Sequence, residues 1–237
     1  SNSDTMIVTV VNPQIANAGT GFKRCLDATP VTLTGFSPAG GVWSGSGVSG
    51  NVFTPSIAGV GTTVLTYSFG TGSCLSTDTI KVTVNSLPNV TVNSLPICVG
   101  QTATLTANGA NSYVWTGGGT NNPHSVSPVV TTNYTVIGTN TLTGCKDTAI
   151  SVVTVNPLPN VNAGLSIVLC NQPVAAQLTG FSPTPGGNWS GAGVTSAGVF
   201  TPSSTGNFIL TYSYTDGNSC SNSDTMIVTV VNPQIAN

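Results

Sequence analysis

The seventeen residues SNSDTMIVTVVNPQIAN stand at Ser1–Asn17 and return, letter for letter, at Ser221–Asn237. An identity of that length does not arise by chance, so the sequence reads as one 220-residue period of a tandem array plus an overlap. Any fold proposed for it must be assembled from units that lead into copies of themselves.

A shorter period lies inside the long one. Cys25, Cys98 and Cys170 are evenly spaced, and Trp43, Trp115 and Trp189 come after them at a near-constant interval. A second cysteine (Cys74, Cys145, Cys220) trails each Trp at an interval constant to within one position. Val11-Asn12, Val84-Asn85 and Val155-Asn156 precede each first cysteine in the same register. These landmarks predict three homologous domains at 13–85, 86–156 and 157–232. Residues 1–12 read as the last strand of a preceding repeat, and 233–237 as the start of the next. The outer two share LTGFSP (Leu33–Pro38, Leu178–Pro183), VFTPS (Val52–Ser56, Val199–Ser203) and LTYS (Leu65–Ser68, Leu210–Ser213), from which the middle one has diverged.

The local pattern is that of strands. Leu65, Tyr67 and Phe69 alternate with Thr66 and Ser68, as Ile80, Val82 and Val84 do with their neighbours. No stretch shows a helical period. Short strands punctuated by Gly and Pro predict an all-β chain of tandem immunoglobulin-like sandwiches. The Pro-containing joints predict stiff connections and a slender rod.

Composition narrows function. Charged residues make up 4% of the chain and Glu is absent. So sparse a charge offers no footprint for nucleic acid or anionic lipid. No apolar run approaches the ~18 to 20 residues of a spanning helix, so membrane insertion by this segment is not expected. With a single His (His124) and no G-x-S-x-G, no nucleophile triad or acid/base pair can be assembled, and an enzyme is not expected. Cysteines this widely spaced fit disulfides and an extracellular setting better than zinc, which needs clustered pairs. No cofactor is expected.

The Cys–Trp–Cys frame, the GxWSGxGV and VFTPS strings, TNYTV at Thr132–Val136 and the C-x(1–3)-D-T closing strand resemble a bacterial family. It comprises the immunoglobulin-like and PKD-like repeats of giant surface proteins of the Bacteroidota, secreted by the type IX route. The resemblance spans essentially the whole chain. It implies cell-surface adhesins, stalks or filaments of the gliding-motility or grappling-hook kind, and supplies no catalytic motif. In an antibody domain the paired cysteines lie mid-strand, whereas here Cys25 precedes its strand and Cys74 occupies a turn. The expected bridge therefore ties each unit's leading segment to its own final hairpin, at one pole: Cys25 with Cys74, Cys98 with Cys145, Cys170 with Cys220.

Trp43, Trp115 and Trp189, with Tyr67, Tyr134 and Tyr212, are expected in the core; exposed Trp rings would instead suit sugar stacking. Asp78, Asp147 and Asp224 each precede Thr at the last strand, which suggests a turn or capping hydrogen bond. Calcium would need more converging oxygens than two Asp per unit supply, and no metal ligand set is assigned. His124 in Asn-Asn-Pro-His reads as a loop residue. The function expected is a structural, disulfide-pinned, tension-bearing shaft that self-associates into filaments or bundles. The alternative is an adhesive module that binds cell-surface glycans.

Overall fold

The computed structural model describes residues 4–7, 10, 12 and 14–233. Over these the chain is strand and turn, apart from one helical turn at Pro55–Ala58 and a 3-10 turn at Gly72–Cys74. It divides into two compact units. One holds the chain up to Val92 with Ala107–Asn122 and Thr135–Ala149; the other holds Asn93–Thr106, Pro123–Tyr134 and the chain from Ile150.

The first unit begins with seven strands: β1 (Phe22–Cys25), β2 (Val31–Thr32), β3 (Val42–Ser44), β4 (Val48–Ser49), β5 (Val52–Phe53), β6 (Gly61–Phe69) and β7 (Ser76–Asn85). One sheet runs β1-β7-β6-β3 and the other β2-β5-β4. The spine is the β6–β7 hairpin, antiparallel from Gly61↔Val84 to Phe69↔Ser76. Alternation decides its faces. Leu65, Tyr67, Ile80, Val82 and Val84 are buried, while Thr79 and Lys81 between them are exposed. The sandwich's first strand, β1, then lies parallel to its last, β7, in the register Phe22↔Val82 to Cys25↔Asn85. Two small sheets closed in this way form an immunoglobulin-like sandwich.

Three of the recurring strings meet in its core. Phe36 of LTGFSP sits edge-on to Trp43 at 5.8 Å, and Tyr67 of LTYS lies 5.2 Å from Trp43. The Tyr67 hydroxyl donates to Pro38 O and accepts from the Gly41 N–H. A Cβ on Gly41 would stand 2.4 Å from that phenol, so the second Gly of Gly40-Gly41 is dictated by packing.

The middle third contributes β8 (Thr91–Val92), β9 (Pro96–Cys98), β10 (Ala103–Leu105), β11 (Ala107–Asn108), β12 (Ser112–Trp115), β13 (His124–Val126), β14 (Thr132–Thr139) and β15 (Lys146–Asn156). In the first unit β8 pairs with β11, and β12 with β14. In the second, β10 pairs with β13, and β9 runs parallel to β15. His124 is thus a strand residue opposite Leu105, not the loop residue its Asn-Asn-Pro-His setting suggests.

The second unit ends with β16 (Ile167–Cys170), β17 (Ala176–Gln177), β18 (Asn188–Ser190), β19 (Val199–Phe200), β20 (Gly206–Thr215) and β21 (Ser221–Val231), in sheets β16-β21-β20-β18 and β17-β19. Phe181, Trp189 and Tyr212 repeat the aromatic cluster, and the Tyr212 hydroxyl again bonds Pro183 O and the Gly187 N–H.

The two copies of the seventeen-residue string differ in state. The second supplies β21 through its first eleven residues, with Met226 and Val230 both 2% exposed. In the first, none of the described residues up to Asn12 is in a strand, and Met6 and Val10 are 85% and 90% exposed. β21 has the β20 hairpin to pair with and a core to cover. A lone strand without such a partner is not stable in water.

Candidate functional site

The cysteines are the chemistry-bearing residues, and the strand register fixes where each lies. Cys25 ends β1 opposite Asn85, Cys98 ends β9 opposite Asn156, and Cys170 ends β16 opposite Val231. In each case the next residue's N–H donates to that opposite carbonyl: Leu26 to Asn85, Val99 to Asn156, Asn171 to Val231. These leading cysteines share one backbone frame, at the finish of the closing strand.

The turn cysteines lie where that strand begins. Cys145 and Cys220 immediately precede β15 and β21, and Cys74 comes two residues before β7. An Asn or Asp side chain shapes two of the turns. Asn140 Oδ1 accepts from Leu142 and Thr143 N–H, and Asp216 Oδ1 from Asn218 and Cys220 N–H. Gly70 takes that place before Cys74, at φ 89°, where a Cβ would meet Cys74 O at 2.4 Å.

Within one sandwich, therefore, the two cysteines sit at opposite poles. From Ser76 to Asn85 the closing strand spans ~30 Å at ~3.3 Å per residue, whereas a disulfide needs Cα atoms within ~7 Å. The expected pairing of Cys25 with Cys74, and its counterparts, is corrected. Cys25 is bonded to Cys145 and Cys98 to Cys220, each with Cα atoms 5.6 Å apart, while Cys74 and Cys170 are free thiols. The sequence alone suggests a single pole because it does not display the parallel pairing of first strand with last.

The aspartates form a second recurring device. Asp78 Oδ2 accepts from the Ala18 N–H at 2.8 Å, and Asp224 Oδ2 from the Ala163 N–H at 2.9 Å. Each ties the segment leading into a sandwich to its closing strand. Hydrogen bonds from Ala18 and then Thr79 hold the Asp78 carboxyl below the ordinary carboxylate range, and Ala163 and Thr225 do the same for Asp224. Asp147, grouped with these by sequence, accepts from its own neighbour Thr148. In the middle third the comparable tie is made by Ser151, whose hydroxyl donates to Asn93 O.

Trp43, Trp115 and Trp189 are 5%, 2% and 4% exposed, so none offers a ring face to a sugar. Tyr67 and Tyr212 are buried, but Tyr134 is only half-buried. The register explains the difference. Trp43 stands opposite Tyr67 and Trp189 opposite Tyr212, but Trp115 stands opposite Val136, so TNYTV and LTYS are out of step by two residues. The Trp115 indole donates to Asn121 O, whereas the indole nitrogens of Trp43 and Trp189 have no hydrogen-bond partner. Beside the first pole, Arg24 lies over the Phe22 ring at 5.1 Å.

Among the described residues, no group of three or more His, Cys, Asp or Glu is placed to hold a metal ion, and no helix is long and apolar enough to cross a membrane. The chain matches no family model and no curated protein sequence. Among solved structures it is similar to the N-terminal eight immunoglobulin domains of Down syndrome cell adhesion molecule, at 11% identity and TM-score 0.42, over 92% of this chain and 36% of that one. It is also similar to a three-domain segment of titin (10% identity, TM-score 0.37, 94% and 100% covered) and to insect hemolin (14%, 0.30, 92% and 75%). The chain spans about a third of the first of these. The immunoglobulin-like description rests on the strand order and register above. Two disulfides in so small a chain fit an extracellular, oxidising setting.

Proposed function

We propose that the chain is part of the shaft of a long, secreted cell-surface protein and that its work is to bear tension. Each domain of the three-domain reading (13–85, 86–156, 157–232) is one link. The observation that carries this is the pairing of Cys25 with Cys145 and Cys98 with Cys220, bridges that reach 120 and 122 residues along the sequence; on the three-domain reading each of them links one domain to the next. Cross-links of that reach limit how far a pulled chain can lengthen. The bacterial surface repeats that the sequence resembles supply the setting: stalks or filaments that serve attachment, gliding or capture. A surface of Thr, Ser and Asn with few charges supports side-by-side association of copies, since edge-to-edge strand pairing meets little repulsion. Direct glycan binding gains nothing from the buried tryptophans.

Stretching single molecules from end to end tests the proposal. With both bridges intact, the shortest covalent route runs from Ser1 to Cys25, across to Cys145, back to Cys98, across to Cys220 and on to Asn237. That is roughly 90 residues, or ~310 Å at ~3.5 Å each, against ~830 Å after reduction. Equal lengths before and after reduction would overturn the load-bearing role.

A further inference from the structure

Cys74 and Cys170 are the two cysteines left out of the bridges, half-buried and exposed respectively. They are not placed at random. Cys170 has the frame of its bonded counterparts Cys25 and Cys98: it ends a strand parallel to the closing one, with the next residue's N–H on the opposite carbonyl. Cys74, like Cys145 and Cys220, sits in the turn that leads into a closing strand. In the bonded pairs a leading cysteine joins the second turn cysteine after it, not the first; on that rule the partner of Cys170 is a turn cysteine beyond Cys220, and the partner of Cys74 is a leading cysteine ahead of Cys25.

The repeated seventeen residues identify the missing partners. Because the string that begins at Ser1 begins again at Ser221, the next copy's Cys74 comes about 124 residues beyond Cys170. The two bridges already present span 120 and 122 residues.

We propose that Cys170 of one 220-residue period is bonded to Cys74 of the next, which makes the bridge series unbroken along the array. The bond forms by thiol–disulfide exchange with a low-molecular-weight disulfide such as glutathione disulfide. The Cys170 thiolate attacks one sulfur and expels a small thiolate, giving a mixed disulfide. The Cys74 thiolate then attacks the Cys170 sulfur and expels the second. Two cysteine thiols lose two electrons and two protons, and the small disulfide becomes two thiols. The proposal rests on the tandem reading used above, but its failure is separable from failure of the tension-bearing role.

The test is the whole chain extended by a second copy of residues 18–237, oxidised with glutathione disulfide, alkylated without reduction and mapped by peptide mass. The Cys25–Cys145 and Cys98–Cys220 peptides in both copies report correct folding. The expected result adds one peptide joining the first copy's Cys170 to the second copy's Cys74. It leaves two free thiols, the outermost Cys74 and Cys170, where an open junction leaves four. Four alkylated thiols instead of two, or a Cys170–Cys170 or Cys74–Cys74 peptide, would overturn the proposal while leaving the two existing bridges and their mechanical role intact. Replacing the first copy's Cys170 (Cys170→Ser) should free the second copy's Cys74 alone.

Discussion

The carboxylate of Asp78 accepts a hydrogen bond from the backbone N–H of Ala18, sixty residues earlier, and so fastens the segment that leads into the first sandwich to the strand that completes it. Asp224 and Ala163 repeat the contact in the sandwich of the chain's last strands. Both carboxyls are held below the ordinary range by these backbone donors. A depressed folded pKa means that the unfolded chain binds the proton more readily. The contribution to stability is therefore complete above the unfolded value, about 3.9, and is lost as pH falls through the lower folded value. Thermal melts from neutral pH to pH 2 should show this loss. In the double variant Asp78→Asn, Asp224→Asn the acid slope should shrink. An unchanged slope would mean that other groups carry it.

Disulfide loss should be selective. Cys145→Ser opens a loop of about 120 residues, which the chain-entropy model values at ~5 kcal/mol, with ~2–5 kcal/mol typical of measurement. Cys74→Ser breaks no bond in this chain and should leave its unfolding free energy within ~0.5 kcal/mol of the parent. Equal destabilisation by the two would show that Cys74 is bonded within the chain.

The tyrosines should divide in the same way. Tyr67→Phe and Tyr212→Phe each strand the Gly41 or Gly187 N–H and the Pro38 or Pro183 carbonyl, at a cost of about 1–3 kcal/mol. Tyr134→Phe, at a half-buried position, should cost under ~0.5 kcal/mol by urea unfolding. A large loss at Tyr134 would restore it to the place its sequence string suggests.

Met226→Ala should cost ~2–4 kcal/mol, since the side chain is 2% exposed in the core around Trp189 and Tyr212. Met6→Ala, the same letter in the same string, should be neutral within ~0.5 kcal/mol. In a chain that carries a preceding hairpin, the two substitutions should become equally costly.

That contrast shows why part of the fold was legible in the sequence and part was not. Alternation in Leu65–Phe69 and Ile80–Val84 needs no knowledge of neighbours, because two-residue periodicity is set by the pleat itself. The strings LTGFSP and LTYS mark the core for the same reason: Phe36, Tyr67 and Leu33 must turn inward wherever that sandwich forms. Pairing partners are another matter. Nothing in the letters around Phe22–Cys25 says that this strand runs parallel to Ser76–Asn85, and that one relationship sends Cys25 and Cys74 to opposite poles. Tyr134 differs for a similar reason, because a Tyr beside a Thr, common to TNYTV and LTYS, cannot reveal a two-residue step in register against Trp115. The Ala18–Asp78 tie was half visible: the repeated Asp-Thr marked the acceptor, but a backbone donor leaves no trace in side-chain letters.

The interleaved spans of the two bridges, from Cys25 to Cys145 and from Cys98 to Cys220, have a consequence for damage. A protease that cuts one peptide bond anywhere between Cys25 and Cys220 leaves a bridge straddling the nick, so the two fragments stay joined. Only a second cut, correctly placed, or a reductant would part them.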